Sequence, residues 1–201
     1  DTFEATCEAI LHAAQNNDLL ISFGGVSVGE EDHIKNAVNA LGKVEHWKVK
    51  LKPGKPIMFG VINKPEKHNK YDIAHQPSND DNPNSSNETL PILGLPGNPV
   101  SAFVTFLLFA KPLLSALIKA PYSPAQTIKA PLGFAIKTPK KRPEYMRVNV
   151  CDGKLIPCTH QSSGVLSSLN ECDGLAFIPE DTCLKEEDHV IYYPLESLIH
   201  N

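Results

Sequence analysis

No stretch of this 201-residue chain is apolar for the roughly eighteen residues that a membrane-spanning helix needs. The longest apolar run, Val100 to Phe109, is soon followed by Lys111 and Pro112. No targeting leader is expected among these residues. The chain also lacks a basic excess: 19 Lys and Arg against 23 Asp and Glu leave a formal charge of −4, which excludes nucleic-acid binding as the main activity. Paired-cysteine motifs are absent. The 5 cysteines (Cys7, Cys151, Cys158, Cys172 and Cys183) are odd in number and have no C-x-x-C spacing, which argues against a zinc site and for a reducing, cytoplasmic compartment. They read as small core or surface residues.

What is present is an ordinary globular composition, 41% apolar and 21% charged, in a length that suits one large domain or two modest ones. The most informative stretch is Gly94-Leu95-Pro96-Gly97-Asn98-Pro99-Val100-Ser101, set between the apolar Leu90 to Leu93 and the long apolar segment Ala102 to Ile118. Two glycines and two prolines in six residues continue neither a strand nor a helix. The segment is therefore a turn from a buried strand into a helix that starts near Pro99. Such a turn aims backbone N–H groups and the positive end of a helix at whatever lies above it, with the Asn98 amide and the Ser101 hydroxyl adding polar reach. The same residues also suit a plain strand-to-helix connection that holds no ligand.

Earlier in the chain, Phe3, Cys7, Ile10, Leu11 and Ala14 recur at helical spacing, and Thr2 or Asp1 caps that helix. Leu19 to Phe23 is a short apolar strand running into the glycine-rich turn Gly24-Gly25-Val26-Ser27-Val28-Gly29. Glu30-Glu31-Asp32 then opens a second helix with apolar Ile34, Ala37, Val38 and Leu41, ending at Gly42. Val44 to Val49 reads as a strand carrying the only tryptophan, Trp47, and it leads into the rigid cationic loop Lys48-Val49-Lys50-Leu51-Lys52-Pro53-Gly54-Lys55-Pro56. That loop is either a solvated lysine run or a clamp for an oxyanion. Ile57 to Ile62 is a further strand. Residues 63–89 are dominated by Asn, Asp, Ser, Lys, Pro and His and read as a polar insertion between two strands, with His68 and His75 solvated.

After the helix from Pro99 to Lys119, Pro121, Pro124 and Pro131 punctuate a linker. Beyond it lie short segments separated by turn signals: Thr127 to Thr138, Tyr145 to Cys151, Lys154 to His160, Gly174 to Ile178 and His189 to Tyr193. Gly164 to Leu169 reads as a helical turn. The pattern predicts an α/β domain over residues 1–122, with the insertion at 63–89, followed by a small all-β, barrel-like domain over residues 123–201.

Three loops of the first domain follow strand ends: Gly24 to Gly29, Lys52 to Pro56 and Gly94 to Pro99. In open α/β sheets ligands bind outside the carboxyl ends of the strands, so the loops are expected to converge on one crevice. Backbone amides, lysines and an acidic helix start are the parts of a site for a phosphorylated organic ligand with Mg²⁺, the metal being held at Asp32. As a first-turn acid, Asp32 equally serves to favour the helix dipole.

The same residues carry a resemblance. Ser22 to Asp32, Trp47-Lys48, Lys52-Pro53-Gly54-Lys55-Pro56, Gly94 to Ser101, Glu144-Tyr145-Met146-Arg147 and Gln161-Ser162-Ser163-Gly164 together resemble the molybdopterin molybdenumtransferase family, the bacterial MoeA type also represented by the E domain of gephyrin. The resemblance implies a three-layer molybdopterin-binding domain followed by a β-barrel-like domain. It also implies a reaction: molybdate is inserted into adenylylated molybdopterin with release of AMP, assisted by a divalent cation such as Mg²⁺.

On that resemblance Asp32 is the acid and metal ligand, Lys48 and Lys52 hold phosphate or molybdate, and Lys50 and Lys55 are ordinary solvated lysines. Gly24, Gly25, Ser27, Gly29, Gly97, Asn98 and Ser101 line the substrate site. Pro96 and Pro99 shape its floor, and Arg147 and Ser163 form a second anion subsite from the β-domain. Arg147 paired structurally with Glu144 is the plainer alternative. The family's cleft is completed across a homodimer and by residues ahead of this region, so the chain, which begins with Asp1, is expected to be the C-terminal portion of a longer enzyme. Two other readings stand beside it: a gephyrin-type scaffold that binds pterin or a partner without turnover, and a molybdopterin adenylyltransferase, against which the second domain argues.

Overall fold

The computed structural model describes residues 2–26, 33–64, 88–162, 164 and 169–200. The first helix, α1 (Phe3–Ala14), is capped by Thr2, whose hydroxyl accepts the Ala5 N–H at 3.2 Å, and it buries Ile10 and Ala14. It is followed by β1 (Leu20–Phe23), α2 (His33–Leu41), β2 (Gly42–Trp47), β3 (Met58–Asn63) and β4 (Thr89–Leu95). The four strands form one mixed sheet in the order β1-β4-β3-β2, with β1 and β4 parallel and the other neighbours antiparallel. The carboxyl ends of β1, β2 and β4 therefore reach the same edge, where β3 begins: Phe23 lies opposite Leu95, and Met58 lies opposite both Gly94 and Trp47.

Period-two alternation in β4 builds the layers. Leu90 and Ile92 pack with Ile10, Ala14, Ala37 and Val38 of α1 and α2, whereas Leu93 and Leu95 pack with Ala110, Phe106 and Phe109 on the other face. Helices thus cover both faces of the sheet, as the three-layer expectation requires. Gly42 does not end its helix as a cap. It is the first residue of β2 and lies so close to β3 that an added Cβ would overlap the Val61 carbonyl and sit 2.8 Å from Ile62 Cα.

The long apolar helix is not uniform. It runs as α3 (Pro99–Thr105), a π-helical turn (Phe106–Ala110) and α4 (Lys111–Leu117). The Lys111 N–H reaches back to the Phe106 carbonyl, and Pro112 has no N–H to offer Leu108, so the regular ladder is broken between them. Pro99–Leu117 is, by length and composition, long and apolar enough to cross a membrane, which the sequence reading did not anticipate. In the fold its buried side chains face two protein cores: Ala110 joins the sheet core, while Val100, Val104 and Leu107 pack with Cys158, Leu169, Cys172, Leu175 and Leu198.

The second half is a five-stranded antiparallel sheet, β5 (Ile128–Pro131), β6 (Glu144–Cys151), β7 (Lys154–Pro157), β8 (Gly174–Ile178) and β9 (His189–Pro194), in the order β5-β9-β8-β6-β7. It curls into a half-barrel, with a bridge from Leu132 to Leu155 drawing the ends of β5 and β7 together around Val148, Ala176, Ile178 and Tyr192. The strand predicted over 127–138 is shorter than its apolar pattern because Pro131 ends the ladder and the isolated bridges at Leu132 and Ile136 follow. A closing helix, α5 (Leu195–His200), was not foreseen; Lys111 Nζ donates to its last carbonyls, Leu198 O at 2.7 Å and Ile199 O at 3.1 Å. Of the turn predicted at Gly164 to Leu169, residues 165–168 lie outside the described residues.

Cys158 and Cys172 are buried in the core shared by α3 and the half-barrel, whereas Cys151 and Cys183 are exposed. Burial pushes the Cys172 thiol up to about 11. Its folded-state value is raised, so its contribution to stability is complete below the unfolded thiol's value and is lost as pH rises through about 11. We expect stability to drop by on the order of 2 kcal/mol between pH 8.5 and 11 from this group, read as a fall in urea midpoint that Cys172→Ala flattens. Gly42→Ala should cost roughly 1–3 kcal/mol, measured as a lower urea midpoint with an unchanged m value.

Candidate functional site

At the shared edge the two glycine turns touch. Gly24 and Gly25 have φ of +84° and +68°, values open to glycine, and the Gly24 N–H is bound by the Leu95 carbonyl at 2.9 Å. A Cβ built on Gly97 would lie 3.5 Å from Gly24 Cα, an ordinary contact distance, so the two turns stand side by side. The Trp47 indole N–H donates to the Val26 carbonyl at 2.8 Å and pins the first turn from below.

Above this edge lies a cleft of about 740 Å³. Gly24, Gly25, Lys52 to Pro56, Pro96, Gly97, Asn98 and Ser101 line it from the α/β side, and Arg142, Glu144, Tyr145, Arg147, Gln161 and Ser162 from the half-barrel side. The two sides are joined by backbone pairing. The Lys52 N–H donates to the Pro143 carbonyl at 2.9 Å, and the Lys52 carbonyl accepts the Tyr145 N–H at 2.7 Å. Arg142 Nη1 adds a bond to the Leu51 carbonyl at 3.1 Å, and Lys50 pairs with Glu180.

Four cations face the cleft, Lys52, Lys55, Arg142 and Arg147, against one acid, Glu144. Glu144 is 4% exposed and holds Lys52 Nζ at 2.8 Å, with Lys140 Nζ 3.7 Å from its other oxygen. Arg147 is only 2% exposed, and its Nη2 donates to the carbonyls of His160 at 2.8 Å and Ser162 at 3.1 Å. Burial pulls its guanidinium below the ordinary value, with the neighbouring Cys172, Cys158 and Glu144 opposing. The Gln161 side chain continues the ladder where β7 stops, donating to the Arg147 carbonyl at 2.7 Å and accepting the Arg147 N–H at 3.3 Å. A cleft lined by these cationic side chains is suited to phosphate or another tetrahedral oxyanion.

Of the residues named from sequence, Gly24, Gly25, Lys52, Pro96, Gly97, Asn98, Ser101 and Arg147 are brought to this one cleft. Lys48 and Pro99 are not among its lining residues. Lys48, at φ 68°, turns its ammonium 3.8 Å from the centre of the Trp47 ring, which Lys35 also approaches at 3.5 Å, and Pro99 is the exposed first residue of α3. Asp32, Ser27, Gly29 and Ser163 lie outside the described residues. Arg147 does not pair with Glu144, as the plainer reading had it; it grips main-chain carbonyls, because the strand turns it toward the 160–162 loop and Lys52 takes the carboxylate.

Lys55, read as simply solvated, lines the cleft, as do Arg142, Glu144 and Tyr145, which were not assigned to the site. Their signal was the density of Lys, Arg and Glu just ahead of β6, indistinguishable in sequence from a solvated run. No group of three or more metal-ligating side chains occurs among the described residues. The single described acid of the cleft, Glu144, is matched to lysines. Among the described residues the cleft thus offers no carboxylate free of a lysine for Mg²⁺.

The architecture is thus a layered α/β sheet with glycine turns at its carboxyl edge, joined across a cationic cleft to an antiparallel half-barrel. Residues 1–116 match the family described as probable molybdopterin binding domain, and residues 129–195 match the MoeA C-terminal region, domain IV; the chain belongs to this molybdopterin-binding family, in its MoeA-type arrangement.

It is 39% identical over 115 residues to the molybdopterin molybdenumtransferase of Haemophilus influenzae, covering 57% of this chain and 22% of that protein. It is 31% identical over 192 residues to the Drosophila melanogaster molybdenum cofactor synthesis protein cinnamon, covering 90% and 27%. The crystal structure of the molybdopterin biosynthesis MoeA protein from Pyrococcus horikosii superposes with a TM-score of 0.68 at 24% identity, over 96% of this chain and 41% of that one. The chain thus spans well under half the length of these relatives.

Arg147→Lys keeps the charge but loses the planar fork that serves two carbonyls. We expect a loss of about 2 kcal/mol and faster proteolytic cutting near residues 160–164, with limited proteolysis and urea melts as the readout.

Proposed function

We propose that this chain serves molybdenum cofactor biosynthesis, forming the part of a molybdopterin molybdenumtransferase that holds adenylylated molybdopterin and molybdate while molybdate is inserted and AMP is released. One observation carries the reading: a cleft lined among the described residues by two glycine turns and four cationic side chains lies between the regions matching the molybdopterin-binding family and the MoeA C-terminal region. The relative from Haemophilus influenzae bears the name of that activity.

In this reading the glycine turns at Gly24-Gly25 and Pro96-Gly97-Asn98 receive phosphate or pterin oxygens through backbone N–H groups, and Ser101 closes the floor. Lys52 holds an oxyanion as a point charge, and Lys48 joins it on leaving the Trp47 ring. Arg147 fixes the 160–162 loop and, with Ser163, offers a second anion subsite. Asp32 is the acid and the Mg²⁺ ligand, the divalent ion supplying charge neutralisation at the pyrophosphate linkage when bound. We further read the chain as two domains, 1–122 and 123–201, in a cytoplasmic homodimer.

The test measures AMP release from adenylylated molybdopterin, molybdate and Mg²⁺ by the whole protein. Asp32→Ala should abolish most of the release, and undiminished release would remove Asp32 from its role. Lys52→Ala should raise the molybdate concentration needed for half-maximal rate by roughly 10- to 100-fold, more than Lys55→Ala does. Equal effects of the two lysine changes would show that the wrong lysine was chosen.

A further inference from the structure

A carboxylate is an unexpected tenant of an anion site, since its charge repels the ligand. Glu144 is nevertheless among the most buried polar residues of the molecule and lies inside the cleft beside Arg142 and Arg147. Its two oxygens are unequal. Oε1 is 2.8 Å from Lys52 Nζ, while Oε2 is buried without a hydrogen-bond partner among the described residues and lies 3.7 Å from Lys140 Nζ.

Residues 52 and 144 are also bridge partners in the backbone, so the lysine's main chain and its ammonium are both fastened to the start of β6. Lys52 is half exposed, and free of Glu144 its four-carbon stem would sample many rotamers. An ammonium has three N–H donors, and the pair with Glu144 engages one, leaving two for a ligand.

We propose that Glu144 is a positioning residue for oxyanion binding: it holds the Lys52 ammonium at the cleft wall so that the ligand meets a preset cation. The proposal rests on the reading of the cleft as an oxyanion site and adds to it a residue that acts through Lys52 and not on the ligand. The Glu144 charge faces Lys52 on one oxygen and Lys140 on the other, and these two ammonium groups offset its repulsion of the ligand.

The experiment is a double-mutant cycle on this chain, with binding of molybdate and, separately, inorganic pyrophosphate measured by titration calorimetry. Circular dichroism confirms that each variant is folded. Glu144→Ala should weaken the anion by about tenfold, the equivalent of immobilising one long side chain. Glu144→Gln, which keeps an acceptor for Lys52 but not the charge, should weaken binding by about threefold, again only when Lys52 is present, and carries the cycle if the alanine variant does not fold. In a Lys52→Ala background, Glu144→Ala should no longer weaken binding, because there is no ammonium left to hold.

Tighter binding by both Glu144 variants, or an equal loss with and without Lys52, overturns the positioning role while leaving the oxyanion site intact. No saturation of the unaltered chain by either anion overturns the site reading and this inference together.

Discussion

The cleft depends on one backbone junction. Lys52 contributes its N–H and its carbonyl to the start of β6, and that pairing is the place where the α/β layer and the half-barrel become continuous. A loop carrying several lysines on a proline–glycine frame would otherwise be free to stand away from the protein. Here the loop between β2 and β3 is fastened on one flank by the strand it follows and on the other by a strand of the second half. Arg142 and the Lys50–Glu180 pair reinforce the second flank. Cations that would be worth little at a free surface are thereby given fixed positions against a partly enclosed volume, where charge–charge interactions are less screened.

The helix behind the Gly94 turn completes the junction from the other side. Its first turns pack Val100 and Val104 against the half-barrel, while Ala110 and Phe106 reach the sheet core. A regular helix advances its faces by a fixed angle, and serving two cores set differently in space requires a local change of pitch. The π-helical turn at Phe106–Ala110 supplies that change, at the point where Pro112 already denies the helix one bond. The turn that opens the cleft and the helix that unites the cores are thus one continuous stretch of chain.

Much of this was legible in the residues. Helical spacing located α1 and α2, β-branched and leucine runs located β1, β3, β4 and β8, and the coincidence of glycine turns with strand ends foretold a shared crevice, which Gly24 and Gly97 now form by touching. What sequence could not supply was side-chain pairing across the chain. Glu144 and Arg147 are three residues apart and of opposite charge, so local reading joins them, yet each finds its partner elsewhere, Glu144 in a lysine 92 positions earlier and Arg147 in the carbonyls of a later loop. Lys48 and Lys52 look equivalent in sequence, and only the positive φ of Lys48 and its stacking on Trp47 separate them. The helix at Leu195–His200 is too short to leave a periodic signature, and its ordering comes from tertiary contacts, Leu198 in the shared core and Lys111 on its last carbonyls.

The single tryptophan sits at an informative position. Its indole N–H is bound to the carbonyl that follows the Gly24-Gly25 turn, and two ammonium groups lie within 4 Å of its ring centre, at 3.5 and 3.8 Å. Indole emission responds to both influences, the hydrogen bond and the nearby charge. The protein therefore carries its own optical gauge of the glycine turn: any displacement of that turn, or any recruitment of Lys48 away from the ring, changes the light that Trp47 emits, with no label added.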